Sequence, residues 1–296
     1  MKTRVFTGVA TAIITPLNGN GIDYESFARL IEWQIEEGIN AIVACGTTGE
    51  GSTLTDDEHK AAIRFVVKQV NGRVPVIAGT GSNDTSYSIQ LTKDACESGV
   101  DAVLVVTPYY NKATQNGLIE VFTKIADTSI KPVILYNVPS RTGVNIEPKT
   151  CQILAEHPNI VGIKEASGNI SQIAEIAQLC GDKLDIYSGN DDEIVPIMSL
   201  GGKGIISVLS NVLPKETVEI CDKYFEGDIK GSCQLQLKYI PFIKSLFCEV
   251  NPIPVKAAVS AMGYCGDYIR LPLTNMESQN KEQMLALMTE LEIELV

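Results

Sequence analysis

The regular alternation of short apolar runs with amphipathic segments constrains the fold of this chain more than any other feature. Short runs rich in β-branched residues, bounded by turn residues, are typical of buried strands. Eight such runs lie near residues 7–14, 39–44, 74–79, 101–106, 132–136, 160–164, 184–188 and 204–208. The pattern therefore predicts eight strands separated by helices.

The segments between these runs carry recognisable helix start and stop signals. Asp23 can cap a helix that ends at Gly38, and Asp84 can cap one that ends at Gly99. Thr55-Asp56-Asp57-Glu58 has the composition of a capping box, in which Thr and Glu satisfy each other's main-chain N–H groups. These signals predict helices after the first, second and third strands.

An internal sequence repeat supports a repeating strand–helix unit. Residues 38–43 resemble residues 99–104 and precede them by 61 positions, about two units at about 30 residues each. Eight strands alternating with helices predict an α/β fold, a closed (β/α)8 TIM barrel. An open doubly wound sheet is the alternative, and it would favour a Gly-x-Gly-x-x-Gly turn after the first strand, which the sequence lacks.

The strand pattern stops after residue 224, and helical patterning follows around 229–248, 254–263 and 279–293. We therefore expect a barrel over residues 1–224 that carries the active site, and a C-terminal helical appendage over residues 225–296. Since no linker rich in Pro, Gly or Ser separates them, we expect the appendage to pack tightly on the barrel.

The charge balance limits the partners that this chain can bind. The 296 residues carry a net charge of −12 with a pI near 4.7, which argues against nucleic acid and anionic membrane surfaces. No apolar run reaches the roughly 20 residues that a membrane span needs, and the N-terminus has no signal-peptide pattern. We expect a cytoplasmic protein, in which an anionic substrate must be met by a local positive group.

The cysteine and histidine content argues against metal chemistry. The eight cysteines are scattered without a Cys-x-x-Cys pair, so we expect reduced thiols. His59 and His157 are the only histidines, which leaves little material for a histidine metal site or a Ser-His-Asp triad. The sequence therefore predicts no metal and no cofactor.

Lys164 is the strongest candidate for a catalytic residue. It ends the apolar run 159–163, and an ammonium in a buried strand must be paired, neutral or chemically used. A desolvated lysine can form a Schiff base with a carbonyl substrate. The alternative is a strand-end lysine whose amine reaches solvent. Strand alternation places the adjacent Glu165 on the opposite face.

Other polar residues fall where predicted strands end, which is where barrel enzymes place their catalytic groups. Thr47 and Thr48 lie in the turn 46–51, which either binds a small carboxylate through N–H and hydroxyl groups or is a plain glycine turn. Tyr110 and Tyr136 follow two further strands, either as proton donors or as rim aromatics. Arg141 can clamp a carboxylate or be a solvated surface arginine. Together these residues indicate Schiff-base chemistry on a small anionic keto compound.

Three motifs carry a resemblance to a known family. The segments 46–50, 136–143 and 162–168 resemble those of the dihydrodipicolinate synthase family, within the pyruvate-dependent class I aldolase and lyase superfamily. Segments 188–192 and 251–256 are similar as well, so that the resemblance covers nearly the whole chain.

The resemblance implies a lyase of the diaminopimelate and lysine pathway that condenses pyruvate with L-aspartate 4-semialdehyde to 4-hydroxy-tetrahydrodipicolinate. It implies that Lys164 forms the imine and that Tyr136 relays protons with Thr47 and Tyr110. In this resemblance Thr47 and Thr48 hold the pyruvate carboxylate, Arg141 meets the semialdehyde carboxylate, and the main-chain carbonyl of Ile206 adds a contact. It further implies that Tyr110 enters the neighbouring subunit's site and that a homotetramer, a dimer of dimers, is the usual assembly.

One departure from the family pattern concerns regulation. Many family members are inhibited by lysine, and His59, Asn83 and Tyr109 match positions of that pocket. Tyr87 stands where the family usually has a glutamate that holds the lysine amino group. Loss of that carboxylate predicts weak or absent inhibition by lysine.

Two other functions compete with this interpretation. A related lyase, such as N-acetylneuraminate lyase or a 2-keto-3-deoxy-sugar-acid aldolase, would use the same lysine and tyrosine, although Arg141 argues against a neutral sugar-like partner. A catalytically silent barrel that serves as a binding protein is the second alternative, and the retention of every candidate catalytic group argues against it.

Overall fold

The computed structural model describes residues 2–296 and shows a closed barrel of eight parallel strands. The barrel strands are β1 (Gly8–Ala12), β4 (Ala41–Ala44), β5 (Val76–Gly79), β6 (Ala102–Val106), β7 (Val133–Asn137), β8 (Ile160–Glu165), β9 (Asp185–Ser188) and β10 (Gly204–Ser207), and β2 (Leu17–Asn18) and β3 (Gly21–Ile22) form a separate two-stranded hairpin. The barrel order is β1-β10-β9-β8-β7-β6-β5-β4, with β4 returning to β1. This closure confirms the (β/α)8 prediction and excludes the open doubly wound sheet.

Helices connect the strands and form the C-terminal part. They are α1 (Tyr24–Glu36), α2 (Asp56–Val70), α3 (Thr85–Glu97), α4 (Gln115–Thr128), α5 (Pro139–Thr142), α6 (Pro148–Leu154), α7 (Ile170–Cys180), α8 (Ile194–Ser199), α9 (Pro214–Phe225), α10 (Ile229–Ser245), α11 (Ile253–Ala261) and α12 (Ser278–Glu290). The β2–β3 hairpin and the one-turn α5 were not predicted, since both are too short to show a periodic pattern.

The predicted helix ends are confirmed by their hydrogen bonds. The Asp23 carboxylate accepts from the N–H of Ser26, and Thr55 forms both halves of its capping box with Glu58. Gly38 and Gly99 follow α1 and α3 with φ of 86° and 91°, a left-handed conformation that glycine adopts without steric cost. The internal repeat of residues 38–43 and 99–104 thus corresponds to two equivalent helix-to-strand turns.

The barrel interior is lined by alternate strand residues, many of them small. Ala10, Ala41 and Ala102 point inward together with larger residues such as Tyr136 and Ile206. The other face of each strand packs Val, Ile and Leu side chains against the helices. A barrel interior filled by side chains is a packed core, which leaves only the rim for a site.

The C-terminal segment contacts the barrel at the loop that follows β4. Lys256 of α11 forms a buried ion pair with Glu50, and it also donates to the Tyr268 carbonyl at 3.1 Å. Arg270 forms a bidentate pair with Glu58, with both N–O distances 2.6 Å. These charged contacts fix the loop 46–51 from outside the barrel.

Residues 2–296 contain neither a membrane-spanning helix nor a disulfide bond. Within this range, no helix combines the length and the apolarity that crossing a bilayer requires. All eight cysteines are free thiols, of which Cys248 is exposed, Cys233 is partly buried and the others are buried.

The Glu50–Lys256 pair predicts a specific stability pattern. Both side chains are 1% exposed, so Lys256→Met leaves the Glu50 carboxylate buried without a partner. We expect the free energy of unfolding to fall by about 3–5 kcal/mol, measured by urea denaturation.

Glu50→Gln combined with Lys256→Met removes both charges and should recover part of that loss. The exposed pair of Lys183 and Glu156 is the control, and Lys183→Met should cost at most about 1 kcal/mol. Equal losses for Lys256→Met and Lys183→Met would contradict the structural role of the buried pair.

Candidate active site

Tyr136 and Lys164 lie side by side at the C-terminal ends of neighbouring strands. They are direct partners in the β7–β8 register, and the Lys164 Nζ lies 4.5 Å from the centroid of the Tyr136 ring. Lys164 is 5% exposed and Tyr136 is 7% exposed. The alternative in which the Lys164 amine reaches bulk solvent is therefore wrong, and the amine and the phenol ring form a buried pair.

Gly189 leaves the room that the Lys164 side chain occupies. A Cβ atom at Gly189 would lie 3.1 Å from the Lys164 Cε and 2.7 Å from the Ala166 Cβ. The main-chain N–H of Gly189 donates to the Glu165 carbonyl at 2.8 Å, which fixes this close approach. A larger residue at position 189 would clash with Ala166 and crowd the Lys164 side chain.

A buried carboxylate lies on the next strand connection. Asp191 accepts hydrogen bonds from the Ser207 hydroxyl at 2.5 Å and from the N–H groups of Val208 and Leu209 at 3.1 Å each. Burial raises the pKa of Asp191, while these donors and the Lys164 ammonium act in the opposite direction. Asp191 is thus a buried, hydrogen-bonded carboxyl group on the side of the barrel that holds Lys164.

The turn after β4 presents unused hydrogen-bond donors. The Thr48 side chain is buried and accepts from the Asn251 amide at 3.1 Å, whereas Thr47 is exposed. Within residues 2–296, the main-chain N–H groups of Thr47 and Thr48 have no acceptor. Cys45 and Glu50 flank the turn with φ of 55° and 54°. Such left-handed residues persist only where their surroundings hold them.

A cavity of about 340 Å³ opens at this end of the barrel. The predicted residues in its wall are Thr47, His59, Tyr87, Tyr109, Tyr136 and Arg141. Lys164, Thr48 and Ile206 are buried and lie outside the cavity lining, with Lys164 against the Tyr136 ring. The structure therefore brings most of the predicted residues to one end of the barrel.

Arg141 is an exposed cation at the cavity wall. It belongs to α5, which begins at Pro139 and is followed by Gly143 with φ of 69°. Its Nη2 donates to the Asn251 carbonyl at 3.5 Å, and within residues 2–296 no carboxylate lies within 4.0 Å of its guanidinium. The guanidinium is therefore available to an anion that enters the cavity.

The structure does not bring Tyr110 into the cavity of its own chain. Its side chain is 90% exposed and its φ is 70°, an uncommon conformation for a bulky residue. The neighbouring Asn111 holds the loop, since its side-chain amide donates to the Asn83 carbonyl at 2.9 Å.

Comparisons with known proteins identify the family of this chain. The model of the dihydrodipicolinate synthetase family matches residues 5–291. The chain belongs to this family.

Named relatives cover almost the whole chain. The 4-hydroxy-tetrahydrodipicolinate synthase of Acetivibrio thermocellus is 54% identical, over 95% of this chain and 96% of the relative. That of Lachnoclostridium phytofermentans is 58% identical, over 92% and 94%. The dihydrodipicolinate synthase of Acinetobacter baumannii, solved in complex with pyruvate, is 43% identical with a TM-score of 0.96, and the match covers 98% of this chain and 100% of that one. The resemblance seen in the sequence is thereby confirmed.

In this member of the dihydrodipicolinate synthetase family, His59 and Tyr87 also line the cavity. His59 donates from Nε2 to the Gly79 carbonyl at 3.0 Å, and its Nδ1 has no partner within residues 2–296. Burial lowers the pKa of His59. The Tyr87 hydroxyl donates to Asp56 at 2.6 Å, and burial together with this bond raises the pKa of Tyr87 to about 12.

Sequence reasoning missed the parts played by Asn251 and Asn137. Asn251 contacts both Thr48 and Arg141, and Asn137 bonds to Glu165 behind the site. Asn251 belongs to the motif 251–256, and Asn137 directly follows Tyr136. Their positions in or next to these motifs were the only signal in the sequence that could have identified them. Hydrophobic periodicity does not indicate which residues the side-chain amides contact. Within residues 2–296, no cluster of metal-ligating side chains is present.

Proposed function

We propose that this chain is a lyase that condenses pyruvate with L-aspartate 4-semialdehyde to 4-hydroxy-tetrahydrodipicolinate, a step of diaminopimelate and lysine biosynthesis. The observation that carries the proposal is the buried Lys164 amine, 4.5 Å from the Tyr136 ring at the C-terminal end of the barrel. Family membership and relatives of the same activity support it. The reaction needs an amine nucleophile, a proton relay and two carboxylate sites.

The reaction begins with addition of the Lys164 amine to the C2 carbonyl of pyruvate. Loss of water gives an imine, and loss of a proton from the methyl carbon gives an enamine. The enamine carbon attacks the aldehyde carbon of the semialdehyde, and the aldehyde oxygen takes up a proton. The amino group of the joined product then attacks the imine carbon, closes the ring and releases Lys164. A lysine amine beside a carbonyl substrate can form such an imine.

The two carboxylates are assigned to different parts of the cavity. The unused N–H groups of Thr47 and Thr48, with their hydroxyls, receive the pyruvate carboxylate. Arg141 at the cavity wall receives the semialdehyde carboxylate. The main-chain carbonyl of Ile206 adds a contact to bound pyruvate. In a chain of net charge −12, these local donors overcome the general repulsion of anions.

Tyr136 relays the protons of these steps, in a chain that includes Thr47 and Tyr110. Tyr110 is 90% exposed and outside the cavity of its own chain, and we propose that it reaches the site of a neighbouring subunit, as the family resemblance implies. A dimer is then the minimum active unit, and we propose a homotetramer of two such dimers. The substrates are products of central metabolism, and we propose a cytoplasmic location.

The rival aldolases share the amine and the phenol but not the requirement for a second carboxylate. An exposed arginine without a protein carboxylate partner favours the semialdehyde over a neutral sugar-like acceptor. Incubation with pyruvate and each acceptor in turn decides between these reactions.

The nucleophile is tested by trapping. Borohydride reduction in the presence of pyruvate should attach the reduced keto acid to Lys164, because Lys164 supplies the amine of the proposed imine. Intact mass and peptide mapping measure the adduct. Lys164→Ala should keep the circular dichroism spectrum and give no adduct. An unmodified wild-type chain would support the catalytically silent barrel instead.

Arg141→Ala should chiefly weaken use of the semialdehyde. A charge-assisted contact contributes about 1.5–3 kcal/mol, so kcat/KM for the semialdehyde should fall roughly tenfold to hundredfold. Borohydride trapping of pyruvate should remain, since Arg141 is assigned to the second substrate. Steady-state kinetics with each substrate varied separately measures both effects. An unchanged kcat/KM would remove Arg141 from the site.

Inhibition by lysine should be weak or absent. Tyr87 offers a neutral hydroxyl that is already bonded to Asp56, where a free carboxylate would hold an amino group. Activity should persist at lysine concentrations that inhibit sensitive relatives. As the matched variant, Tyr87→Glu should lower the half-inhibiting concentration by about tenfold or more. A sharp loss of wild-type activity at modest lysine concentration would refute this proposal.

A further inference from the structure

Asn137 and Glu165 form a side-chain pair directly behind the proposed reacting groups. They follow Tyr136 and Lys164 in the chain and are the next partners in the β7–β8 register. Because side chains alternate along a strand, the pair points away from the barrel interior. The Asn137 Nδ2 donates to both carboxylate oxygens of Glu165, at 3.0 and 3.2 Å.

This pair is tied to the loops that leave both strands. The main-chain N–H of Ile146 donates to the Asn137 Oδ1 at 2.9 Å, and that of Ser167 donates to the Glu165 Oε1 at 2.8 Å. The Asn137 Nδ2 also donates to the Asn145 side chain at 2.9 Å. Both members of the pair are fully buried. The strand ends and the loops therefore share one hydrogen-bond network.

A buried carboxylate without a cation is costly, so its presence at this position needs a reason. Within residues 2–296, no basic nitrogen lies within 4.0 Å of Glu165, and its partners are neutral N–H groups. Burial raises the pKa of Glu165, and the N–H donors from Asn137 and Ser167 oppose that shift. Packing alone would favour apolar residues, because replacement of buried charges by apolar groups is often neutral or stabilising.

We propose that Asn137 and Glu165 are positioning residues, which hold the ends of β7 and β8 so that the Tyr136 phenol stays against the Lys164 amine. The proposal rests on the proposed function, which makes these two groups the reacting pair. Movement of either strand end changes the separation of the phenol and the amine. A misplacement of about 1 Å can cost about a hundredfold in rate.

The test exchanges the polarity of the pair. Asn137→Asp sets two carboxylates against each other, and Glu165→Gln leaves one N–H donor without an acceptor. The double variant, Asn137→Asp with Glu165→Gln, restores an amide facing a carboxylate with the same total charge. Thr92→Val is the control, because it removes a buried bond of 3.0 Å to Thr80 behind β5, away from the reacting pair.

Each variant is characterised by kcat/KM, by the rate of borohydride-trapped imine formation with pyruvate and by its unfolding temperature. Both single variants should lose about tenfold to hundredfold in kcat/KM and in imine formation. The double variant should regain most of that loss, since the coupling of two contacting residues is non-additive. Thr92→Val should change both rates less than twofold, roughly the effect of an indirect contact.

Three results would overturn the proposal. The first is single variants that unfold at a lower temperature but keep their kcat/KM and imine-formation rates. The second is a double variant no faster than the slower single variant, and the third is a control that loses as much rate as the single variants.

If a single variant does not fold, Glu165→Asp carries the test. It keeps the charge and shortens the side chain, so its rates should fall, and unchanged rates would overturn the proposal. If the wild-type chain forms no imine with pyruvate, the proposed function itself is wrong. Borohydride trapping of the wild-type chain measures this independently of the variants.

Discussion

A primary amine kept out of water inside a parallel barrel is the constraint on which the rest of the structure depends. Lys164 can be buried because the Tyr136 ring lies over it and because Gly189 has no side chain to displace it. Barrel closure makes this possible, since parallel strands bring residues distant in sequence to one rim. The same burial leaves the amine facing the phenol ring instead of bulk water.

The second constraint is the binding of two anions by an acidic chain. We propose that the turn 46–51 offers main-chain N–H groups instead of extra cations, and its left-handed residue Glu50 is held by Lys256 of the C-terminal segment. The ion pair of Glu50 with Lys256 lies directly at this turn. The C-terminal helices thus support the site through the loop that they cover, although they add no side chain to the reacting pair.

The sequence predicted the strands and the helix caps that the structure shows, and it drew attention to Lys164, because each leaves a local signal. Apolar runs and caps such as Thr55 with Glu58 can be read along the chain, as can a lysine at the end of a strand. Contacts that depend on how neighbouring strands pair cannot be read from the sequence in this way. The sequence shows that Glu165 faces away from Lys164, but only the paired strands show that it meets Asn137. The short hairpin β2–β3 and the exposure of Tyr110 were likewise beyond a periodic pattern.

The most direct test of the central claim is a crystal structure of the wild-type protein soaked with pyruvate. The account predicts continuous electron density between the Lys164 Nζ and the C2 atom of the keto acid, with the carboxylate of the keto acid at the N–H groups of Thr47 and Thr48. Clear density for free pyruvate beside an unmodified lysine would contradict it.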